Sequence, residues 1–344
     1  MLTPGGSSGG EGALVAFQGS PLGVGTDLGG SVRIPSLCCG VYGFKPTTSR
    51  LPYGGQQSLN APGTDFMLAC AGPMSRDLNA LEVLVRAVIH ARPALYDSTA
   101  IDVPWRDVSK LENRKLRIGV VQEDPLFPLH PPVRNTMDEA VRVLRSKGNE
   151  LIYLDPGECH VADATEVAWK FFGLDETVFS HLKASGEPVV RSVAFINSLA
   201  AALPRKFLPD TSGMDKFRLL ATLRHARAAI SEDWRKMWQS NALDVVLCPP
   251  AQSTAVEHDK FGLPPYTTLT NILDYPSCIV PFRKVTGQPN PTPFVKAQGQ
   301  IAPDYYPNIL EGAPCSVQVF TKSMFDEECL AIAKIIDDCL NGIR

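Results

Sequence analysis

Two bursts of glycine and serine open the chain, Gly5-Gly6-Ser7-Ser8-Gly9-Gly10 and Gly25-Thr26-Asp27-Leu28-Gly29-Gly30-Ser31. A serine hydroxyl attacks well only when a positioned base takes its proton, and nearby backbone N–H groups can hold the oxyanion that forms. Glycine this dense is poor helix interior and suits backbone that comes close to a ligand or takes positive φ. Other uses of such loops fit less well. A phosphate-binding loop needs Lys-Ser or Lys-Thr after its last glycine, and neither burst has it. A dinucleotide fingerprint needs a preceding strand, which the few residues before Gly5 cannot supply. Gly5-Gly6-Ser7-Ser8-Gly9 does match G-x-S-x-G, so an α/β-hydrolase-type esterase using Ser7 and a histidine stays open, although that elbow also needs an upstream strand. His90, His130, His160, His181, His225 and His258 are scattered, and none stands in a recognisable base context. They read as surface or core residues.

The run TPGGSSGGEGALVAFQGSPLGVGTDLGGSVRIPSLCCGVYGFKPT, from Thr3 to Thr47, resembles the amidase signature family almost continuously. Glu11 after the second glycine pair is similar to the fatty-acid amide hydrolase and fungal acetamidase branch. The resemblance implies a single α/β domain over 1–344, an α/β/α sandwich around a mixed central sheet. It implies hydrolysis of the C–N bond of a small-molecule carboxylic amide by a Ser-cisSer-Lys mechanism, with no metal and no cofactor. Ser31 then matches the nucleophile that forms the acyl-enzyme. Ser7 matches the serine on a cis peptide that relays the proton. Leu28, Gly29, Gly30 and Ser31, with Ser7, match the oxyanion hole and substrate contacts. Thr26, Asp27 and Arg33 fall on positions expected to brace the loop, and Ser8 is expected to hydrogen-bond locally. Weaker landmarks continue at Gly43 to Thr47, Gly72 to Met74, His130 to Val133, Asn271 to Pro276 and Gly312 to Pro314.

The family's third catalytic residue is a lysine on a strand well upstream of the glycine-serine loop. Only Met1 and Leu2 precede Thr3, and the first lysine is Lys45, inside the Gly43 to Thr47 landmark. Lys45 is expected to form a structural salt bridge and not to serve as the base. The chain then reads as the C-terminal portion of the family domain, lacking its N-terminal part and the lysine. Without a base, acylation of Ser31 is expected to slow by several orders of magnitude. Two readings follow from the resemblance: an amidohydrolase, or a catalytically inactive truncated paralogue that keeps the fold.

These loops need elements to hold them. Ala13 to Phe17 reads as a helix turn or a strand. Ser75 is expected to cap an amphipathic helix carrying Leu78, Leu81, Leu84 and Val88. Lys115 to Val121 and Leu151 to Leu154 read as strands around a helix with Val133, Met137, Ala140, Val141 and Leu144 on one face and Gly148 at its C′ position. Strand, helix, strand with short loops predicts a parallel βαβ unit. Residues 160–240 read as helix-rich, Val245 to Cys248 and Ser316 to Phe320 as strands, and Phe325 to Leu340 as a helix.

The 344 residues are 44% hydrophobic and 20% charged with a net charge of −3, a globular composition without a basic stripe for nucleic acid. Nine cysteines without a C-x-x-C pair argue against zinc or redox work and fit a reducing compartment. No apolar run reaches bilayer length and no secretory leader is read. A cytoplasmic protein without nucleic-acid or membrane partners is expected, with a homodimer left open.

Overall fold

The computed structural model describes the chain apart from residues 57–59, 62, 112–113, 205–206, 287–292 and 343–344. Its elements run α1 (Gly9–Ala16), β1 (Leu22–Asp27), α2 (Arg33–Cys39), β2 (Tyr42–Lys45), β3 (Cys70–Ser75), α3 (Leu78–His90), β4 (Arg117–Val121), α4 (Pro131–Ser146) and β5 (Glu150–Leu154). They continue with α5 (Val161–Phe172), α6 (Thr177–Ser185), α7 (Arg191–Ala201), α8 (Lys216–Ser240), β6 (Val245–Cys248), α9 (Pro265–Ile272), β7 (Ser277–Lys284), β8 (Pro314–Phe320) and α10 (Asp326–Asn341). The strands form one mixed sheet in the order β1-β3-β2-β7-β8-β6-β4-β5. β4 pairs in parallel with β5 and β6, and the other pairs are antiparallel.

Helices cover both faces, as an α/β/α sandwich requires. Alternation along a strand sends successive side chains to opposite faces. In β8, Val317 and Val319 enter the core shared with α3, α4 and α10. Phe320 enters the core on the other face, with α5, α8 and α9, and Gln318 on that same side bonds to Arg33. In β6 the same division separates Val245 and Leu247 from Val246 and Cys248.

The βαβ unit forms as its periodicity predicts. Val133, Met137, Ala140, Val141 and Leu144 are buried on α4, and Gly148 lies just past its end at φ +87°. Ala13 to Phe17 is helical, the last turn and cap of α1. One capping expectation changes. Ser75 ends β3 with its hydroxyl on Pro21 O at 2.8 Å, and Asp77 caps α3 by accepting from Asn79 N at 2.9 Å. The buried stripe is accordingly Leu78, Leu81, Val85 and Ile89. A carboxylate two residues nearer the first apolar residue outcompeted the serine, whose hydroxyl was claimed by a neighbouring segment.

His130 precedes the two prolines that start α4. Its ring is buried, with Nε2 donating to Pro303 O at 3.0 Å and Nδ1 unpartnered among the described residues. Burial pushes its pKa down from 6.5 to about 4, against the smaller opposing effect of the Pro303 bond. The unfolded chain binds this proton more readily, so the stabilisation is full above 6.5 and shrinks as pH falls toward 4. Unfolding measured at pH 7 and pH 4 should show a loss of about 3 kcal/mol that His130→Gln removes.

Candidate active site

Both glycine-serine loops lie at one end of the antiparallel half of the sheet. β1 ends at Asp27, the 28–32 turn follows, and α2 starts at Arg33. Asp27 and Arg33 build this turn from inside, both with fully buried side chains. The Asp27 carboxylate accepts from Gly30 N (2.8 Å), Val32 N (3.1 Å) and Arg33 N (3.4 Å). It also accepts from Arg33 Nε (3.0 Å), Arg33 Nη2 (2.8 Å) and Asn271 Nδ2 (3.0 Å). Arg33 reaches on to Thr267 O (3.0 Å), Thr270 Oγ1 (2.5 Å), Gln318 Oε1 (2.9 Å) and Asn271 Oδ1 (2.6 Å). Burial alone would raise the Asp27 pKa, but the charge and hydrogen bonds of Arg33, with Lys45 and Asn271, together outweigh it and hold the carboxyl well below the usual range. These bonds tie the 28–32 turn to α9 and β8 through one buried ion pair.

The second loop is stitched onto the first. Ser8 N donates to Ser31 O at 3.1 Å, which sets Ser7 beside the Gly29–Ser31 turn. Contrary to the expectation from its sequence context, the Ser8 hydroxyl is not engaged locally. It accepts from Thr26 N at 3.2 Å and lies 3.4 Å from Thr26 O, eighteen residues away. Gly25 makes this possible, because a Cβ there would lie 2.5 Å from Ser8 Oγ. The Gly6–Ser7 peptide is cis.

Among the described residues, the Ser7 and Ser31 hydroxyls bond neither to each other nor to another group. Gly30 N is committed to Asp27 Oδ1, which takes it out of the expected set of oxyanion donors. Leu28 N, Gly29 N and Ser31 N remain without an acceptor among the described residues. Leu28 packs its side chain against the core of α5, α8 and α9. Lys45 is buried, donates to Pro46 O at 2.8 Å and faces Asp274 Oδ1 at 3.7 Å, the structural salt bridge that its landmark suggests. For the esterase alternative, the residues just before Ser7 form an isolated bridge from Leu2 to Glu257 and not a strand, and among the histidines His130 and His160 bond to Pro303 O and Asp163.

Sequence reading missed the α9 face that seats the turn. Thr267 Oγ1 donates to Gly29 O at 2.8 Å, and Thr267, Thr270 and Asn271 supply most of the distant partners of Arg33 and Asp27. A signal was present in Thr267-Thr268-Leu269-Thr270-Asn271, a polar run in a helix whose eight residues are all buried. Buried polar groups in such number demand partners.

The fold and this paired-loop site define the class. The sequence profile of the Amidase family matches residues 1–330, and the chain belongs to that family. It is 35% identical to an amidase of Gibberella moniliformis over 99% of this chain and 61% of that protein. It is 29% identical to an acetamidase of Aspergillus oryzae over 98% of this chain and 63% of that protein. A solved fatty acid amide hydrolase superposes with a TM-score of 0.83 at 30% identity, covering 99% of this chain and 60% of the other. The chain thus spans about three-fifths of these relatives. No helix among the described residues is long and apolar enough to cross a membrane.

Proposed function

We propose that this chain hydrolyses a small-molecule carboxylic amide through Ser31. Ser31 Oγ attacks the carbonyl carbon, and the oxyanion settles on the amides of the turn, those of Leu28, Gly29 and Ser31 being free to receive it. Collapse expels the amine and leaves an acyl ester on Ser31, which water then releases as the acid. Ser7 carries the proton between Ser31, the leaving nitrogen and a base. The observation that carries this reading is the Ser8 N to Ser31 O hydrogen bond of 3.1 Å, which joins the two serine loops.

The engagement of Lys45 with Pro46 and Asp274 favours a second reading, in which these 344 residues keep the fold and pocket but do not turn over. A fluorophosphonate probe separates the two. Labelling on Ser31, abolished by Ser31→Ala and slowed at least about 100-fold by Ser7→Ala, supports the hydrolase. An unlabelled Ser31 in folded protein supports the second reading. Turnover of a simple amide at about 1–10³ s⁻¹ would show that a working base is present within 1–344.

A further inference from the structure

We infer that the Thr268 hydroxyl contacts substrate and sets specificity, taking an uncharged hydrogen-bonding substituent next to the reacting carbonyl. The α-hydroxy amides are the simplest such class. This inference rests on the hydrolase reading of the Leu28–Ser31 turn, but it is measured separately.

The polar side chains of α9 are almost all accounted for by protein partners. Tyr266 OH donates to Phe127 O at 2.8 Å, and Thr267 Oγ1 to Gly29 O at 2.8 Å. Thr270 Oγ1 donates to Thr267 O at 2.9 Å, and Asn271 Nδ2 to Asp27 Oδ1 at 3.0 Å. Thr268 differs. It is fully buried, and its Oγ1 has no partner among the described residues. Leaving a buried hydroxyl unpaired costs stability, whereas valine would fill the same shape without that cost. Packing therefore does not explain a threonine here.

Its position does. A Cβ built on Gly29 would meet only one described heavy atom within 4 Å outside its chain neighbours, Thr268 Oγ1 at 3.9 Å. Gly29 is partly exposed, and the Thr268 hydroxyl, itself closed to solvent, stands across from its Cβ position. An oxygen or nitrogen placed about 1 Å beyond that Cβ point comes within hydrogen-bond distance of Oγ1. Gly29 N is one of the amides free to hold the oxyanion, so an atom in this space belongs to a group attached close to the carbonyl. The carboxylate of the turn itself, Asp27, is consumed by Arg33 and by backbone amides. It is not free to compensate an ammonium, which favours an uncharged substituent.

The test uses lactamide and isobutyramide, which differ by a hydroxyl against a methyl at the α-carbon. Their binding to the 344-residue chain is measured by saturation-transfer NMR. Lactamide is expected to bind about tenfold more tightly. Thr268→Val should bring the ratio to about one, while Thr268→Ser should keep it. Equal affinities in the native chain, failure of both amides to bind, or a preference that survives Thr268→Val would overturn the inference. So would an equal loss of both in Thr268→Val, because the hydroxyl would then be meeting the carbonyl oxygen they share. Fluorophosphonate labelling of the same sample reports on the hydrolase reading by itself. A lactamide preference without labelling removes that reading and leaves Thr268 as a binding group, and labelling without the preference does the reverse.

Discussion

Arg33→Met is expected to cost about 3–5 kcal/mol of stability, a large part of what holds a domain folded. The reason is not the worth of one ion pair in isolation. Methionine fills much of the same volume, but it leaves the Asp27 carboxylate buried without its guanidinium, and it takes their Arg33 donor from Gln318 Oε1 and Asn271 Oδ1. Asp27→Asn should be costly from the opposite side, with Arg33 left charged in the same buried spot. Combined, the two substitutions should cost less than the sum, since neither charge then lacks its partner. Denaturant unfolding of the two single variants and the double variant measures this directly. Strict additivity would show that the network does not act as a unit. The acid side has a defined sign. Because the Asp27 pKa is depressed, its contribution is complete above the ordinary carboxylate value of 3.8 and is lost only as pH falls through the lowered one. His130 gives way first, with its window between 6.5 and about 4, so early acid destabilisation belongs to the α4 side and not to the serine turn.

Gly30→Ala should be the most damaging single-methyl change in the site. Gly30 has φ +124°, a region that residues with a side chain avoid, and its Cβ would lie 2.9 Å from Ile34 Cδ1 while running into Thr267. Backbone strain of about 1–3 kcal/mol and overpacking of similar size act together, so a loss of about 2–5 kcal/mol is expected. Gly29→Ala, one residue away, is the control. Among the described residues outside its chain neighbours, its new methyl would meet only Thr268 Oγ1, at 3.9 Å, so the fold should keep its stability while the space beside the turn fills. Thermal unfolding of the two variants decides the matter. Equal destabilisation would mean that the Gly30 conformation does not limit the turn.

The comparison of those two glycines shows where sequence reading stops. Both stand in one burst, and pattern alone gives them equal roles in an oxyanion hole. Only the fold reveals that Gly30 N is spent on Asp27 while Gly29 borders open space. The same holds for Ser7 and Ser8. Their order is plain in the chain, but that Ser8 spans eighteen residues to Thr26 and so carries Ser7 to the Ser31 turn is a tertiary fact.

What the sequence by itself determined was local or dense. The βαβ unit follows from two short apolar strands around a 3.6-residue periodicity ended by glycine, forces that act within about thirty residues. The serine loops follow from a continuous signature, and the salt-bridge role of Lys45 from its landmark. The tertiary structure alone decided who satisfies Arg33, because its partners on α9 and β8 lie 234 to 285 residues away. A buried guanidinium must have its donors satisfied, but any acceptor of suitable geometry will serve. Burial thus dictates that partners exist, and only the packing of α9 and β8 against the turn selects which residues they are.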